Sequence, residues 1–150
     1  MRRIAIVMAV VAMVAVGIAM AQDHTYIGSD KCKMCHKVQY NSWLETSHAK
    51  ATEAAQASTD PAFEDSCLKC HATNADASMA GVGCESCHGP GSDYKKMSIM
   101  KDREASIANG LIIPSQATCD QCHVDDGHSK AVDYEANKEN KAAIHEFKGE

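Results

Sequence analysis

Ile4 to Ala21 is an uninterrupted run of apolar and small residues, preceded by Arg2 and Arg3 and followed by polar Gln22-Asp23-His24. A basic start, an apolar stretch and the small-x-small pattern Ala19-Met20-Ala21 read as an export signal over residues 1–21. An uncleaved anchor is the alternative, because a run of about 18 apolar residues just spans a bilayer. Against it, the run lacks a charged stop and ends on a cleavage pattern. No cysteine near the cut would take a lipid. The arginine pair lacks the further residues of a twin-arginine signal, which implies export of an unfolded chain.

Beyond residue 21 the apolar positions are sparse. Lys37 to Ala57 lacks Gly and Pro and is rich in Ala, Lys, Gln and Glu, which predicts a helix. Tyr40, Trp43, Leu44 and His48 then fall near one face. A second helix is predicted over Ala131 to Phe147. Gly81, Gly83, Gly89, Pro90 and Gly91 break the chain in its middle, and Thr59-Asp60-Pro61 marks another boundary. No stretch alternates convincingly. The fold class is mostly α with long loops and little or no sheet, in a single domain over residues 22–150.

Composition sharpens this picture. The whole chain carries one Trp, four Tyr and two Phe. A core this thin needs a staple such as disulfides, metal or cofactor. Without residues 1–21, thirteen basic side chains face twenty acidic ones, a balance of −7. That argues against nucleic acid as a partner and favours basic or mixed protein surfaces.

The eight cysteines form four CxxC pairs: Cys32 and Cys35, Cys67 and Cys70, Cys84 and Cys87, Cys119 and Cys122. Each pair is followed at once by a histidine: His36, His71, His88 and His123. This is the pattern of c-type haem attachment. Two thiols at that spacing bond the two vinyl groups of one porphyrin, and the adjacent histidine lies beneath the ring as proximal iron ligand. Disulfides, zinc and thioredoxin-like pairs use CxxC too, but none requires the histidine. Four such coincidences by chance have a probability on the order of 10⁻⁵. Export fits the same reading, since c-type attachment takes place outside the cytoplasm.

From first cysteine to first cysteine the motifs lie 35, 17 and 35 residues apart. The short middle step limits the separation of the second and third haems. About 32 residues per haem is far fewer than a packed domain uses, so the chain reads as a sleeve around a stack of four haems, a multihaem cytochrome c fold that needs haem to form. Four haems take up to eight axial ligands, and the chain has eight histidines. The four outside the motifs, His24, His48, His128 and His145, are the candidate distal ligands. Twelve residues of helix span about 18 Å, so His48 is expected to serve a haem other than that of His36. His128 lies too near His123 in sequence to wrap around the same porphyrin. Met34, Met79, Met97 and Met100 are alternative ligands that would raise the potential, although filling gaps around porphyrin is the plainer role.

The stretch from Tyr26-Ile27-Gly28 to Ala51, with Cys32-Lys33-Met34-Cys35-His36, Trp43 and Ser47-His48-Ala49-Lys50-Ala51, resembles the start of the cytochrome c-554 family. Gly81-Val82-Gly83-Cys84-Glu85-Ser86-Cys87-His88-Gly89-Pro90-Gly91-Ser92 is similar to the same family. The second and fourth motifs are generic. The resemblance implies a mostly helical tetrahaem fold that shuttles electrons among exported redox partners. It implies that His48 ligates the third haem and His145 the fourth, and that the second haem is five-coordinate. It also implies a histidine a few residues past the third motif for the first haem, but Ser92-Asp93-Tyr94-Lys95-Lys96-Met97 has none, which leaves His24 or His128 as substitutes.

These readings point to a periplasmic or otherwise exported electron carrier, not an enzyme, working between a redox protein donor and acceptor. A membrane-associated oxidoreductase is one candidate partner. No catalytic triad, paired-carboxylate cleft or phosphate loop stands out. Two alternatives compete: a small-molecule oxidoreductase of nitrogen-oxide type at an open haem, and a haem polymer in which His24 reaches a neighbouring subunit.

Overall fold

The computed structural model describes residues 23–147, and the predicted export signal lies outside the described residues. Within them the chain forms short helices joined by turns: α1 (Lys37–Leu44), α2 (Ala51–Gln56), α3 (Leu68–His71), α4 (Cys84–His88), α5 (Met97–Met100), α6 (Arg103–Ala108), α7 (Gln116–Cys119) and α8 (Tyr134–Asn137). Single 3-10 turns cover Ser29–Lys31, Asp65–Cys67 and Thr73–Ala75. The described residues contain isolated bridges, such as Thr59 to Ala62 and Ala72 to Ala80, but no strand. None of their helices is long and apolar enough to cross a membrane.

The predicted helix over Lys37–Ala57 is in fact two. Its break lies at Glu45–Lys50, and Thr46 makes it. The Thr46 hydroxyl donates to Trp43 O at 2.7 Å and its amide binds the same carbonyl at 2.9 Å, so the acceptor that would extend α1 is taken. The hydroxyl also accepts from Ala49 N at 3.3 Å. Side-chain bonding of this kind competes with the helical ladder. The turn swings His48 off the α1 face on which the sequence had put it.

The second predicted helix, Ala131–Phe147, shrinks to α8. The Gln116 side chain takes Val132 O and Tyr134 N, both at 2.8 Å, before the helix can begin. Asp133 caps its start by accepting from Ala136 N. Farther on, Glu146 N donates to Ser42 Oγ at 2.8 Å and draws the C-terminal segment onto α1. Tertiary partners outbid helix propensity at both ends.

The apolar core is small. Tyr40, Trp43, Ala55, Leu68, Ala72 and Tyr94 are its buried hydrophobic members, and Thr46, Thr52, Thr73, Glu85 and Ser106 are buried beside them. Trp43 stacks obliquely on Tyr40, 5.6 Å between ring centres, and donates Nε1–H to Val82 O at 2.9 Å. That bond carries α1 to the glycine-rich entry of α4. Gly81 is required there: at φ +81° a Cβ would sit 2.6 Å from Ala49 O.

Candidate haem sites

Each CxxCH motif closes a tight turn or short helix that presents its histidine. In α4 the third motif occupies the whole helix, ended by Gly83 and Gly89. The second lies across the Asp65–Cys67 turn and α3. In the first, His36 N bonds Cys32 O at 2.9 Å, and in the fourth His123 N bonds Cys119 O at 2.9 Å. One helical turn therefore separates the first cysteine from the histidine in both, the spacing that sets two thiols and an imidazole on one side of a planar ring.

Six of the eight histidines are anchored through Nδ1. His48 bonds Ala143 O at 2.8 Å, His71 Ala51 O at 3.1 Å, His88 Ile112 O at 3.3 Å, His123 Lys130 O at 3.1 Å and His145 Glu146 O at 2.8 Å. His24 bonds a carboxylate, Asp93 Oδ2, at 2.8 Å. A carbonyl only accepts, so Nδ1 carries the proton and Nε2 is left as a lone-pair donor, the usual arrangement of metal-ligating histidine. Burial holds His48 and His88 below the ordinary imidazole range, which keeps them in the neutral form a metal needs.

The rings also pair across the chain. His48 lies 6.1 Å from His123, His71 5.9 Å from His128 and His88 6.4 Å from His145, between ring centres. With a metal–nitrogen bond of about 2 Å, two imidazoles on opposite sides of one iron have centres about 6 Å apart. The residues fit bound haem in this respect. They fit in a second: large apolar side chains beside the histidines stand exposed, including Met34, Ile112, Val124 and Phe147, where porphyrin would cover them. Among the described residues no group of three or more His, Cys, Asp or Glu side chains converges as a bare metal site would require.

In these pairs His48 faces the fourth motif and His145 the third, where the resemblance implied the third haem for His48 and the fourth for His145. The reason lies in the C-terminal segment. His48 Nδ1 binds Ala143 O while Glu146 N binds Ser42, so residues 143–146 run alongside the α1–α2 turn. This sets His145 toward His88 on one side and leaves His48 facing His123 on the other. His128 stands over His71, where the resemblance implied an open position.

Thiol contacts tie the motifs to one another. Cys32 and Cys84 hydrogen-bond, and Cys84 is drawn down to about 7 by that bond against its burial. Cys70 and Cys122 hydrogen-bond, with Cys122 pushed up to about 12, by burial first. Cys70 Sγ also reaches Gln121 O at 3.8 Å. Burial raises Cys87 to about 11, with Cys119 adding to it.

Two acids that the sequence reading passed over hold the region together. Glu85, inside the third motif and 1 % exposed, accepts from Ile27 N at 3.0 Å, Gly28 N at 2.7 Å and Gly91 N at 2.6 Å. It clamps the N-terminal segment to the third motif. Nothing in its sequence position sets it apart from a solvated acid. Asp93, held below the usual carboxylate range by His24 and then Ser92, stands five residues past His88 in the stretch that lacks a histidine. That gap was the one available signal. The His24 ring packs on Gly110, where φ is +97° and a Cβ would lie 2.9 Å from the ring.

The family described as "Cytochrome c554 and c-prime" matches residues 31–89. Cytochrome c-554 of Nitrosomonas europaea is 35% identical over 104 residues, covering 53% of this chain and 44% of the relative. The chain thus spans less than half the length of that curated relative. The solved reduced state of cytochrome c554 from Nitrosomonas europaea superposes with a TM-score of 0.59 at 23% identity, over 82% of this chain and 86% of that one, and shows that the two share a fold. With four CxxCH motifs for four c-type haems, the chain is similar to cytochrome c-554 in sequence over these stretches and shares its fold.

Proposed function

We propose that the protein is an exported one-electron relay between redox proteins, with histidine on both sides of every iron. The observation that carries this reading is the set of three cross-chain imidazole pairs at 5.9 to 6.4 Å. Each joins a motif histidine to one of the spare histidines. Cys32, Cys35, Cys67, Cys70, Cys84, Cys87, Cys119 and Cys122 attach the porphyrins, and His36, His71, His88 and His123 are the proximal ligands. His123 then takes His48 as its distal partner, His71 takes His128, and His88 takes His145. His24 remains for His36. Its Nδ1 bond to Asp93 leaves Nε2 free for that iron.

Bound haem supplies a reversible one-electron iron couple. The chain's own part is to hold ligands still. Neutral histidines fixed through Nδ1 need little rearrangement when the charge on iron changes, which suits transfer rather than catalysis. Hydrogen bonds Cys32–Cys84 and Cys70–Cys122 pair the first attachment site with the third and the fourth with the second, and the electrostatic influence of Cys119 on Cys87 links the two pairs. A row with two separate ends is the layout a relay needs to meet a donor and an acceptor. The acidic surface favours partners with basic patches.

Electron paramagnetic resonance of the ferric protein tests the ligation: four low-spin haems are expected. His48→Met should raise the potential of the haem at Cys119 and Cys122 by about 0.1 to 0.2 V, a fraction of the ~0.8 V that axial ligands span. A shift confined to the haem at Cys84 and Cys87, resolved by paramagnetic NMR, would refute the pairing.

A further inference from the structure

Each attachment motif carries one charged side chain between its cysteines: Lys33, Lys69, Glu85 and Asp120. Lys33, Lys69 and Asp120 stand exposed, where water and salt screen them. Glu85 is 1 % exposed. Its Oε1 accepts from Ile27 N at 3.0 Å and Gly91 N at 2.6 Å, and its Oε2 from Gly28 N at 2.7 Å. Every partner is a donor, so the carboxylate is held as an acceptor-only, charged group. Among the described residues no cation pairs with it; the ion pairs there are His24–Asp93, Lys138–Glu135 and Lys141–Glu146.

The same anion faces two attachment sites. It belongs to the third motif, and the segment it grips leads into the first. Gly28 O accepts from Lys31 N at 3.1 Å, Ser29 O from Cys32 N at 3.0 Å, and Ser29 Oγ from Cys84 N at 3.1 Å. The turn held by Glu85 thus supports Cys32 and Cys84 together, and these two thiols hydrogen-bond. Glu85 acts on both of them and on the buried Tyr94 phenol, which burial, Cys32 and then Glu85 push up. At the other thiol contact, Cys70 with Cys122, the charged residues within the motifs are Lys69 and Asp120, both exposed and of opposite sign.

We infer that Glu85 is a buried fixed charge that lowers the potentials of the first and third haems together and so gives the relay a direction, from the end at Cys32 and Cys35 toward the end at Cys67 and Cys70. The direction rests on the relay proposed above. A negative charge favours ferric over ferrous iron, because oxidation adds a positive charge beside it. One electron leaves the donor's reduced centre, passes the low-potential pair and ends on the acceptor's oxidised centre; no bond breaks and no proton is required. A unit charge acting across about 10 Å at an effective dielectric of about 20 changes an equilibrium constant about 10-fold.

Redox titration of the holoprotein, with each haem resolved by paramagnetic NMR, tests this. In wild type the first and third haems should titrate below the second and fourth; the reverse order would overturn the direction. Glu85→Gln should raise the first and third by about 10-fold in reduction equilibrium, about 59 mV for one electron, and move the second and fourth far less. Glu85→Asp keeps the charge and should leave all four close to wild type, even where it costs stability. A purely structural role gives the opposite sign, since loosening the site admits water, which lowers a haem potential. Unchanged or lowered potentials in Glu85→Gln, or an equal shift of all four haems, would overturn the inference while leaving low-spin ligation and the relay intact. If Glu85→Gln fails to assemble, wild type at about 1 M salt decides, because screening over about 3 Å removes surface charges and spares a buried one. The gap between the two pairs should persist there; its collapse would assign it to the surface and overturn the inference. High-spin haem in wild type alongside the Glu85→Gln shift would count against the proposed ligation alone.

Discussion

Asp93 accepts a 2.8 Å hydrogen bond from Nδ1 of His24, across 69 residues of sequence. The carboxylate stands where the family resemblance implied a histidine, and it brings one in from the N-terminal segment instead. An anionic partner makes an imidazole a stronger donor. Asp93→Asn keeps the geometry and removes the charge, so the potential of the haem at Cys32 and Cys35 should rise by on the order of 50 mV, a small part of the ~0.8 V range. The sign of the pH effect follows from the depressed carboxyl. Asp93 stays ionised across the neutral range, so the mutant shift should be flat there, and the contact is lost only as pH falls through its lowered pKa. Spectroelectrochemical titration at several pH values measures both.

Glu85 holds three backbone amides in a buried site. Glu85→Ala leaves those donors without acceptors and should destabilise the holoprotein by about 3 kcal/mol or more. Glu85→Gln keeps one acceptor oxygen and should cost about half as much. Chemical denaturation followed at the Soret band gives both values, and equal losses would mean that packing, not amide binding, is the role of Glu85.

Thr52 links α2 to the second motif and to the glycine-rich segment that precedes α4: it donates to His71 O and accepts from Gly81 N at 2.7 Å. Thr52→Val is close in shape but makes neither bond. A loss of about 1 to 3 kcal/mol is expected, with the Gly81 amide left buried and unpaired. Its spectrum should also broaden for the haem at Cys67 and Cys70 alone, since α2 is what steadies His71.

Haem-free chain should not hold this fold. Among the described residues the buried apolar set is six residues, two of them alanine, and none of the motif histidines or thiols is buried. Expression without haem attachment should give a chain with little helical circular dichroism and rapid proteolysis throughout the described region. A cooperative thermal transition in that chain would show that the polypeptide core suffices.

The sequence carried the cofactor and its attachment almost completely, because CxxCH is local chemistry: thiol spacing and the next residue decide it without reference to distant parts of the chain. Absence of strands was legible for the same reason, in the lack of alternation. Helix extents were not. Lys37–Ala57 has helix propensity throughout, yet Thr46 turns it, and Ala131–Phe147 yields to bonds from Gln116 and Ser42. Propensity is worth tenths of a kcal/mol per residue, and single tertiary hydrogen bonds outweigh it at a helix end.

Distal ligation is where the two sources part most clearly. Counting eight histidines against four motifs was enough to name His24, His48, His128 and His145 as candidates. It could not say which faces which, because partners lie up to 75 residues apart and a ring's direction depends on what its other nitrogen binds. Only the folded chain put Ala143 O on His48, Asp93 on His24 and the His71 ring opposite His128. Composition fixed how many imidazoles were available; long-range hydrogen bonds, made after the backbone had turned, decided where each one points and how firmly it is held.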